Sequence, residues 1–211
     1  MISNIKRICQ KVLCRSVKAQ EVLPGVLLVH GFPEGPGGGA NSATTLPELA
    51  KRISSEMGFV SMAPLLRGTG DSEGCFSLSG WLADVRQAIT ELKNHPRVDK
   101  VWLVGFGSGG AMCICAAAEE PEVKGVGSLA APADWSAWAA SPKRLLIHAR
   151  RAGVIPDPTF PDDFDSWSAE LKNKSISNFL MKNIIFVLTL FAWTSPKSAR
   201  HFTPVRRTAP R

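Results

Sequence analysis

Four short apolar runs alternate with helical segments along the chain, and this alternation constrains the fold more than any other feature. The runs are GVLLVH at 25–30, FVSMAPL at 59–65, VDKVWLV at 98–104 and VKGVGSLA at 123–130. Each connection between them is long enough for a crossover that brings the next strand in parallel. The pattern predicts an α/β fold, a three-layer sandwich in which helices flank a mostly parallel sheet.

Apolar residues at helical spacing predict helices in the connections. Thr45 and Glu48 stand in the capping-box arrangement that begins a helix, and Pro47 suits its first turn. The expected helices cover residues 45–57, 79–95, 111–120 and 143–152, and a last one begins near residue 165.

Charge divides the chain into three parts. The formal net charge is +7, but residues 1–20 hold five basic residues and no acid, and residues 173–211 hold seven and no acid. Residues 21–172 then hold 13 basic residues against all 18 acids. We therefore expect a basic N-terminal arm, an α/β domain over 21–172 and a basic tail over 173–211. Because the basic residues lie in the tails, a folded surface for nucleic acid is not expected.

The two tails leave several alternatives open. The N-terminal residues fit a solvated arm or a first strand, or else an amphipathic helix of an organelle presequence or membrane surface. The apolar run at 184–193 is about half of the ~20 residues that a membrane span needs. We expect that run to be buried or to lie on a surface, and two alternatives stay open: it covers the edge of strand 123–130 or it remains unpacked. Membrane association is not expected, and the predicted location is cytoplasmic, with mitochondrial as the alternative.

The cysteines do not form a metal site or a redox motif. The sequence has five, none in a Cys-x-x-Cys pair, and no histidines at ligand spacing accompany them: Cys9, Cys14, Cys75, Cys113 and Cys115. Reduced thiols in an intracellular compartment, with no metal or cofactor, are the expectation.

Three of the predicted strands end in glycine-rich turns. These are HGF at 30–32, RGTGDS at 67–72 and GFGSGG at 105–110. Ligands of open parallel sheets bind beyond the carboxyl ends of the strands, so these turns mark the candidate site. Trp135 and Trp138 follow the fourth strand, as pocket residues or as core aromatics.

In these turns the sequence resembles the α/β-hydrolase superfamily over residues 25–172. His30-Gly31-Phe32 is similar to its HG-x turn, in which the last backbone N–H helps to form the oxyanion hole. The RGTGDS segment is similar to its R-G-x-G-x-S loop, and VWLV followed by GFGSGG resembles its nucleophile elbow. The resemblance implies hydrolysis of small esters or amides by acyl transfer, on a small-molecule acyl substrate, and a sheet truncated near residue 172.

The position of the nucleophile is occupied by a glycine. The elbow pattern places Gly107 there, and Gly107 has no side chain. Ser108 is open to three interpretations, as the nucleophile, as a helix cap, or as a backbone donor of the oxyanion hole. The candidate site residues are therefore His30, Gly31, Phe32, Gly107 and Ser108, with Ser108 the candidate catalytic residue.

The partners of a nucleophile are also not in place. His201 has the chain order of a catalytic base, whereas His95 lies at a helix end and His148 within a helix. The acids of the loop after residue 152 fit loop solvation: Asp157, Asp162, Asp163 and Asp165. The function predicted is that of an impaired hydrolase or of a non-catalytic, ligand- or partner-binding pseudoenzyme.

A dinucleotide-binding unit is a further alternative. Gly105, Gly107 and Gly110 form a G-x-G-x-x-G pattern between a strand and a helix, and Asp134 follows at the spacing of a ribose-binding acid. Such a unit usually opens a domain, whereas two predicted strands precede this one. The GPGGGANS run has no following Lys-Ser/Thr and does not indicate a P-loop.

Overall fold

The computed structural model describes residues 12–13, 21–35, 45–173 and 187–190. Its strands are β1 (Val12–Leu13), β2 (Leu23–Val29), β3 (Val60–Met62), β4 (Val98–Phe106), β5 (Val123–Leu129) and β6 (Val187–Leu190). Its helices are α1 (Leu46–Met57), α2 (Leu78–Lys93), α3 (Ser108–Ala117), α4 (Ser136–Ala140), α5 (Pro142–Arg151) and α6 (Phe164–Asn173).

The strands form one mostly parallel sheet, in the order β1-β3-β2-β4-β5-β6. Strands β2 to β6 pair in parallel, and β1 pairs antiparallel with β3. Strand β4 lies between β2 and β5, with Leu103 opposite Leu27 on one side and Val126 on the other. The predicted α/β architecture of a parallel sheet with flanking helices is confirmed.

The two faces of the sheet bury different groups of side chains, as the alternation along a strand requires. Leu27, Val29 and Leu103 belong to a large core that includes α2 and α3. Val26 and Leu28 point to the other face, in a smaller core completed by α1. The near-continuous apolar runs of the sequence follow from this burial on both faces.

Element boundaries differ from the predictions at a few places. Strand β3 is three residues long, because Pro64 has no N–H for the ladder. Helix α3 begins at Ser108, three residues before its predicted start, and α4 was not predicted. Its five residues, SAWAA, are too few to show a helical period.

Both tails contribute a strand to the sheet. Val187–Leu190 pairs with β5, so the apolar run at 184–193 includes a sheet strand that covers the β5 edge. Val12–Leu13 pairs with β3, which favours the first-strand interpretation of the N-terminal segment. The rest of both tails lies outside the described residues, and the boundaries at 20 and 172 stay predictions.

Two further observations concern the cysteines and the helices. Cys75, Cys113 and Cys115 are buried and, among the described residues, form no disulfide; burial raises the pKa of Cys113 above its ordinary range. Among the residues that the structure describes, no helix combines the length and the apolar character of a membrane span.

Candidate functional site

The centre of the site is the turn between β4 and α3. Strand β4 ends at Phe106 and α3 begins at Ser108, so Gly107 alone makes the turn, at φ 54° and ψ −126°. A residue with a side chain rarely adopts this left-handed φ. Gly107 therefore occupies the position of the strand-to-helix turn that would strain a residue with a side chain, the place where an elbow presents its nucleophile.

The turn is packed closely against the HG turn beneath it. A Cβ on Gly109 would overlap the carbonyl oxygen of His30, and a Cβ on Gly105 would come within 2.6 Å of the Gly109 carbonyl oxygen. A Cβ on Gly107, by contrast, would meet no atom of the described residues nearer than the Gly31 Cα, at 3.9 Å. The tip of the turn has space for a side chain and carries none.

Ser108 connects the turn to the HG turn through its hydroxyl. The Phe32 backbone N–H donates a hydrogen bond of 2.7 Å to Ser108 Oγ, and the Ser108 side chain is buried. No side chain caps α3, whose N-cap position is held by Gly107. The Ser108 hydroxyl thus binds the HG turn and does not cap its own helix.

His30 is a neutral structural residue in this arrangement. Its Nδ1 lies 2.9 Å from the Gly31 carbonyl oxygen, and the Leu66 N–H donates to its Nε2 at 3.2 Å. Desolvation by complete burial lowers the pKa of His30 to about 4. The imidazole therefore carries its single proton on Nδ1, and it holds the HG turn against the segment after β3.

Asp84 holds the RGTGDS loop and was not identified from the sequence. Its buried carboxylate accepts hydrogen bonds from the Arg67 backbone N–H at 2.9 Å and from Arg67 Nη2 at 2.6 Å. The signal available in the sequence was an acid next to apolar residues, Leu82 and Val85, on the inward face of a predicted helix. The structure shows that both of these residues are buried.

A pocket opens at the tip of the turn. We call it the elbow pocket; its volume is about 260 Å³, and its lining is mostly apolar. The lining residues are Gly31, Phe32, Gly107, Ser108, Pro132, Asp134, Trp135, Ala137 and Trp138. Trp135 and Trp138 stack with ring centroids 5.0 Å apart, and Phe32 meets Trp138 edge-on at 5.2 Å. Both tryptophans thus line the pocket, and Trp135 also belongs to the core.

None of the histidines that the structure describes provides a base for Ser108. Within the described ranges, no hydrogen bond joins Ser108 to a histidine. The His148 ring stacks on Phe32 at 5.6 Å, His95 accepts from the Arg97 N–H, and His201 lies outside the described residues.

The acids of the loop before α6 serve local turns. Asp157 accepts a hydrogen bond from Thr159. Asp163 accepts hydrogen bonds from Ser166, and these lower the pKa of Asp163. Asp162 and Asp165 are exposed. In the part of the chain that the structure describes, no cluster of histidines, cysteines and acids suits a metal ion.

The G-x-G-x-x-G pattern has a packing role. Gly105 allows the approach of Gly110, and a Cβ on Gly110 would come within 2.6 Å of Ser128 Oγ. Asp134 accepts a hydrogen bond from the Ser136 N–H at 2.8 Å, and its bonds from Ser136 lower the pKa of Asp134. These glycines are accounted for by the contact of α3 with the sheet, and dinucleotide binding stays an untested prediction.

The comparison with family models decides the family. A model described as the alpha/beta hydrolase family matches residues 26–209. The chain belongs to the alpha/beta hydrolase family. The match extends past residue 172, where the sequence resemblance ended, and includes β6. No curated protein matches this hydrolase-family chain.

Solved structures share the fold of this hydrolase-family chain at low identity. Est1E from Butyrivibrio proteoclasticus, with ferulic acid bound, has 19% identity and a TM-score of 0.61 over 87% of this chain and 74% of that one. An acylaminoacyl peptidase from Pyrococcus horikoshii has 19% identity and a TM-score of 0.59, over 86% of this chain and 29% of that one. Acetyl xylan esterase 1 from Thermoanaerobacterium has 19% identity and a TM-score of 0.55, over 87% of this chain and 63% of that one. The chain spans less than two thirds of the latter two.

Proposed function

We propose that this chain is a non-catalytic member of the alpha/beta hydrolase family that binds a small aromatic ligand in the elbow pocket. The observation that carries the proposal is Gly107 at the tip of the β4–α3 turn, with φ 54° and with space among the described residues for a side chain that it does not have. Covalent acyl transfer needs a nucleophilic atom at that point, and glycine supplies none.

The neighbouring hydroxyl does not replace the missing group. Ser108 Oγ is buried and accepts the Phe32 N–H at 2.7 Å. A serine hydroxyl is a weak nucleophile unless a base takes its proton, and within the described residues no histidine bonds to it. This favours a structural role for Ser108.

The same hydrogen bond weakens the predicted oxyanion hole. The Phe32 N–H is the donor expected to stabilise an oxyanion, and it is already directed at Ser108 Oγ. Stabilisation of a transition state needs donors that are oriented towards the place where charge develops. A donor committed to an internal hydroxyl favours binding over catalysis.

The lining of the elbow pocket indicates the class of ligand. Phe32, Trp135 and Trp138 surround it with ring faces and edges. Aromatic rings prefer stacked or edge-on partners, so a flat aromatic group suits these walls. The ferulic acid bound by Est1E, a relative in fold, is an aromatic acid and supports the choice of an aromatic probe.

Calorimetric titration with the neutral probe 2-naphthaleneethanol tests the binding half of the proposal. We expect saturable binding that Trp138→Ala weakens about tenfold or more, since tryptophans dominate the energy of such contacts. Trp102→Ala is the matched control, because Trp102 is an exposed tryptophan outside the pocket. The affinity of this variant for the probe should equal that of the wild type. Equal loss in both variants, or no binding, would refute the proposal.

Ester hydrolysis tests the catalytic half. With 4-nitrophenyl acetate we expect the wild type and Ser108→Ala to match the rate of buffer alone. A wild-type rate above this background that Ser108→Ala abolishes, at unchanged thermal stability, would support the alternative of acyl hydrolysis through Ser108.

A further inference from the structure

A second cavity lies beside the elbow pocket and is lined by basic residues. We call it the basic pocket; its volume is about 500 Å³. Its lining comes from α4 and α5 and includes Trp138, Arg144, Ile147, His148 and Arg151. Its described lining residues include two arginines and no acid.

The basic lining follows from the spacing of residues on α5. Arg144, His148 and Arg151 stand at i, i+4 and i+7, which places them along one face of the helix. The helix carries no acid to compensate them, and neither arginine forms an ion pair within the part of the chain that the structure describes. Arg150, on another face, donates to the carbonyls of Pro158 and Phe160 and has a structural role.

The two cavities are adjacent. Ala137 and Trp138 line both of them, and the His148 ring stacks on Phe32 of the elbow pocket. The two cavities carry charges of opposite sign: Asp134 lines the elbow pocket, whereas Arg144 and Arg151 line the basic pocket. A molecule that extends across both cavities would keep its apolar part among the tryptophans and its anionic end away from Asp134.

We propose that the basic pocket binds the carboxylate of an aromatic carboxylic acid whose ring occupies the elbow pocket. Arg144 and Arg151 form charge-assisted hydrogen bonds with that carboxylate, which an arginine fork matches in shape. Trp138, which lines both pockets, lies where they meet, and the exposed Ile147 side chain adds an apolar surface to the basic pocket. This inference rests on the proposed function, because it names the chemical class of the same ligand.

Calorimetry with a matched pair of probes tests the inference on the full chain. The probes are 2-naphthaleneacetate and 2-naphthaleneethanol, which differ in the charged group. We expect the carboxylate to bind about five- to tenfold more tightly, the amount that two partly exposed ion pairs supply. The double variant Arg144→Gln/Arg151→Gln should lose this preference and keep its affinity for the alcohol. In 0.5 M NaCl the preference should narrow, because salt screens exposed charges.

The matched control is Lys143→Gln, which removes one positive charge from the same helix outside the pocket lining. It should keep the preference for the carboxylate. Equal affinities for the two probes in the wild type, or a preference that survives in the double variant, would overturn the inference and leave the proposed function standing. If neither probe binds, the proposed function fails, and the inference fails with it.

Discussion

The floor of the elbow pocket and the wall that borders the elbow and basic pockets are built in different ways. The floor is the β4–α3 turn on the HG turn, where backbone meets backbone and glycines occupy the points of contact. The wall is α4 and α5: Trp138 lines both pockets, whereas Arg144 and His148, both exposed, line the basic pocket.

This difference separates stability from specificity. In the floor, backbone atoms lie so close together at Gly105 and Gly109 that no side chain fits between them. This backbone packing does not require a reactive group at Gly107. The wall depends on exposed side chains, which a sequence can change at little cost in stability. Under the proposed function, the framework keeps its shape while the side chains of the wall determine which ligand binds.

The largest expected effect is in the floor. Gly109→Ala should lower the free energy of unfolding by about 4 kcal/mol, since its Cβ would overlap the His30 carbonyl oxygen in a close-packed interior. Alanine is the better helix former, so helix propensity alone predicts the opposite sign. Thermal melting measures the change. The control Gly35→Ala, whose Cβ would have no atom of the described residues within 4 Å, should melt as the wild type does. Indistinguishable melting of Gly109→Ala would refute the packing argument.

A smaller effect in the floor is pH-dependent. His30 has a folded-state pKa of about 4 against 6.5 when solvated, because burial opposes its charged form. The unfolded chain therefore takes up the proton first. Above pH 6.5 His30 is neutral in both the folded and the unfolded chain, and the titration costs no stability. As the pH falls from 6.5 towards 4, protonation of His30 in the unfolded chain lowers the free energy of unfolding by about 3 kcal/mol.

Urea unfolding from pH 7.5 to pH 4 measures this loss. The variant His30→Gln should be less stable at pH 7.5, and its stability should fall less over the same range. The difference between the two curves isolates His30, because all other titrating groups are common to both proteins. Parallel curves for the two proteins would show that His30 does not lose stability through this titration.

The smallest effect is expected in the wall. Arg144→Gln should change the free energy of unfolding by less than about 0.5 kcal/mol, since Arg144 is exposed and lies near the N-terminal end of α5, where positive charge is not favoured. Urea unfolding at pH 7.5 checks this. A loss comparable to that of Gly109→Ala would mean that the wall is part of the framework and that the two regions do not differ.

The framework was predictable from the sequence because it follows from local rules. Buried parallel strands give apolar runs, and the turns after them carry glycine, so the sheet and the position of Gly107 follow from residues close together in the chain. Helix α4 was missed because five residues carry no period. The strand Val187–Leu190 was expected only as a buried or surface segment, because its pairing with β5 joins residues about sixty positions apart.

The contacts within the site were not predictable in the same way. Ser108 Oγ meets the Phe32 N–H across 76 positions of sequence, and three interpretations of Ser108 agreed equally with its local pattern. The pairing of Asp84 with Arg67 likewise depends on how α2 lies against the loop after β3. Such contacts depend on tertiary packing, which spacing along one segment does not reveal.

The central claim is that this site has no activated nucleophile, and covalent labelling tests it most directly. The full chain is incubated with a fluorophosphonate, which modifies activated serines, and its intact mass is measured beside a serine esterase of the same fold. The account predicts complete labelling of the esterase and an unchanged mass for this chain. A single phosphonate adduct that peptide mapping locates on Ser108 would contradict it.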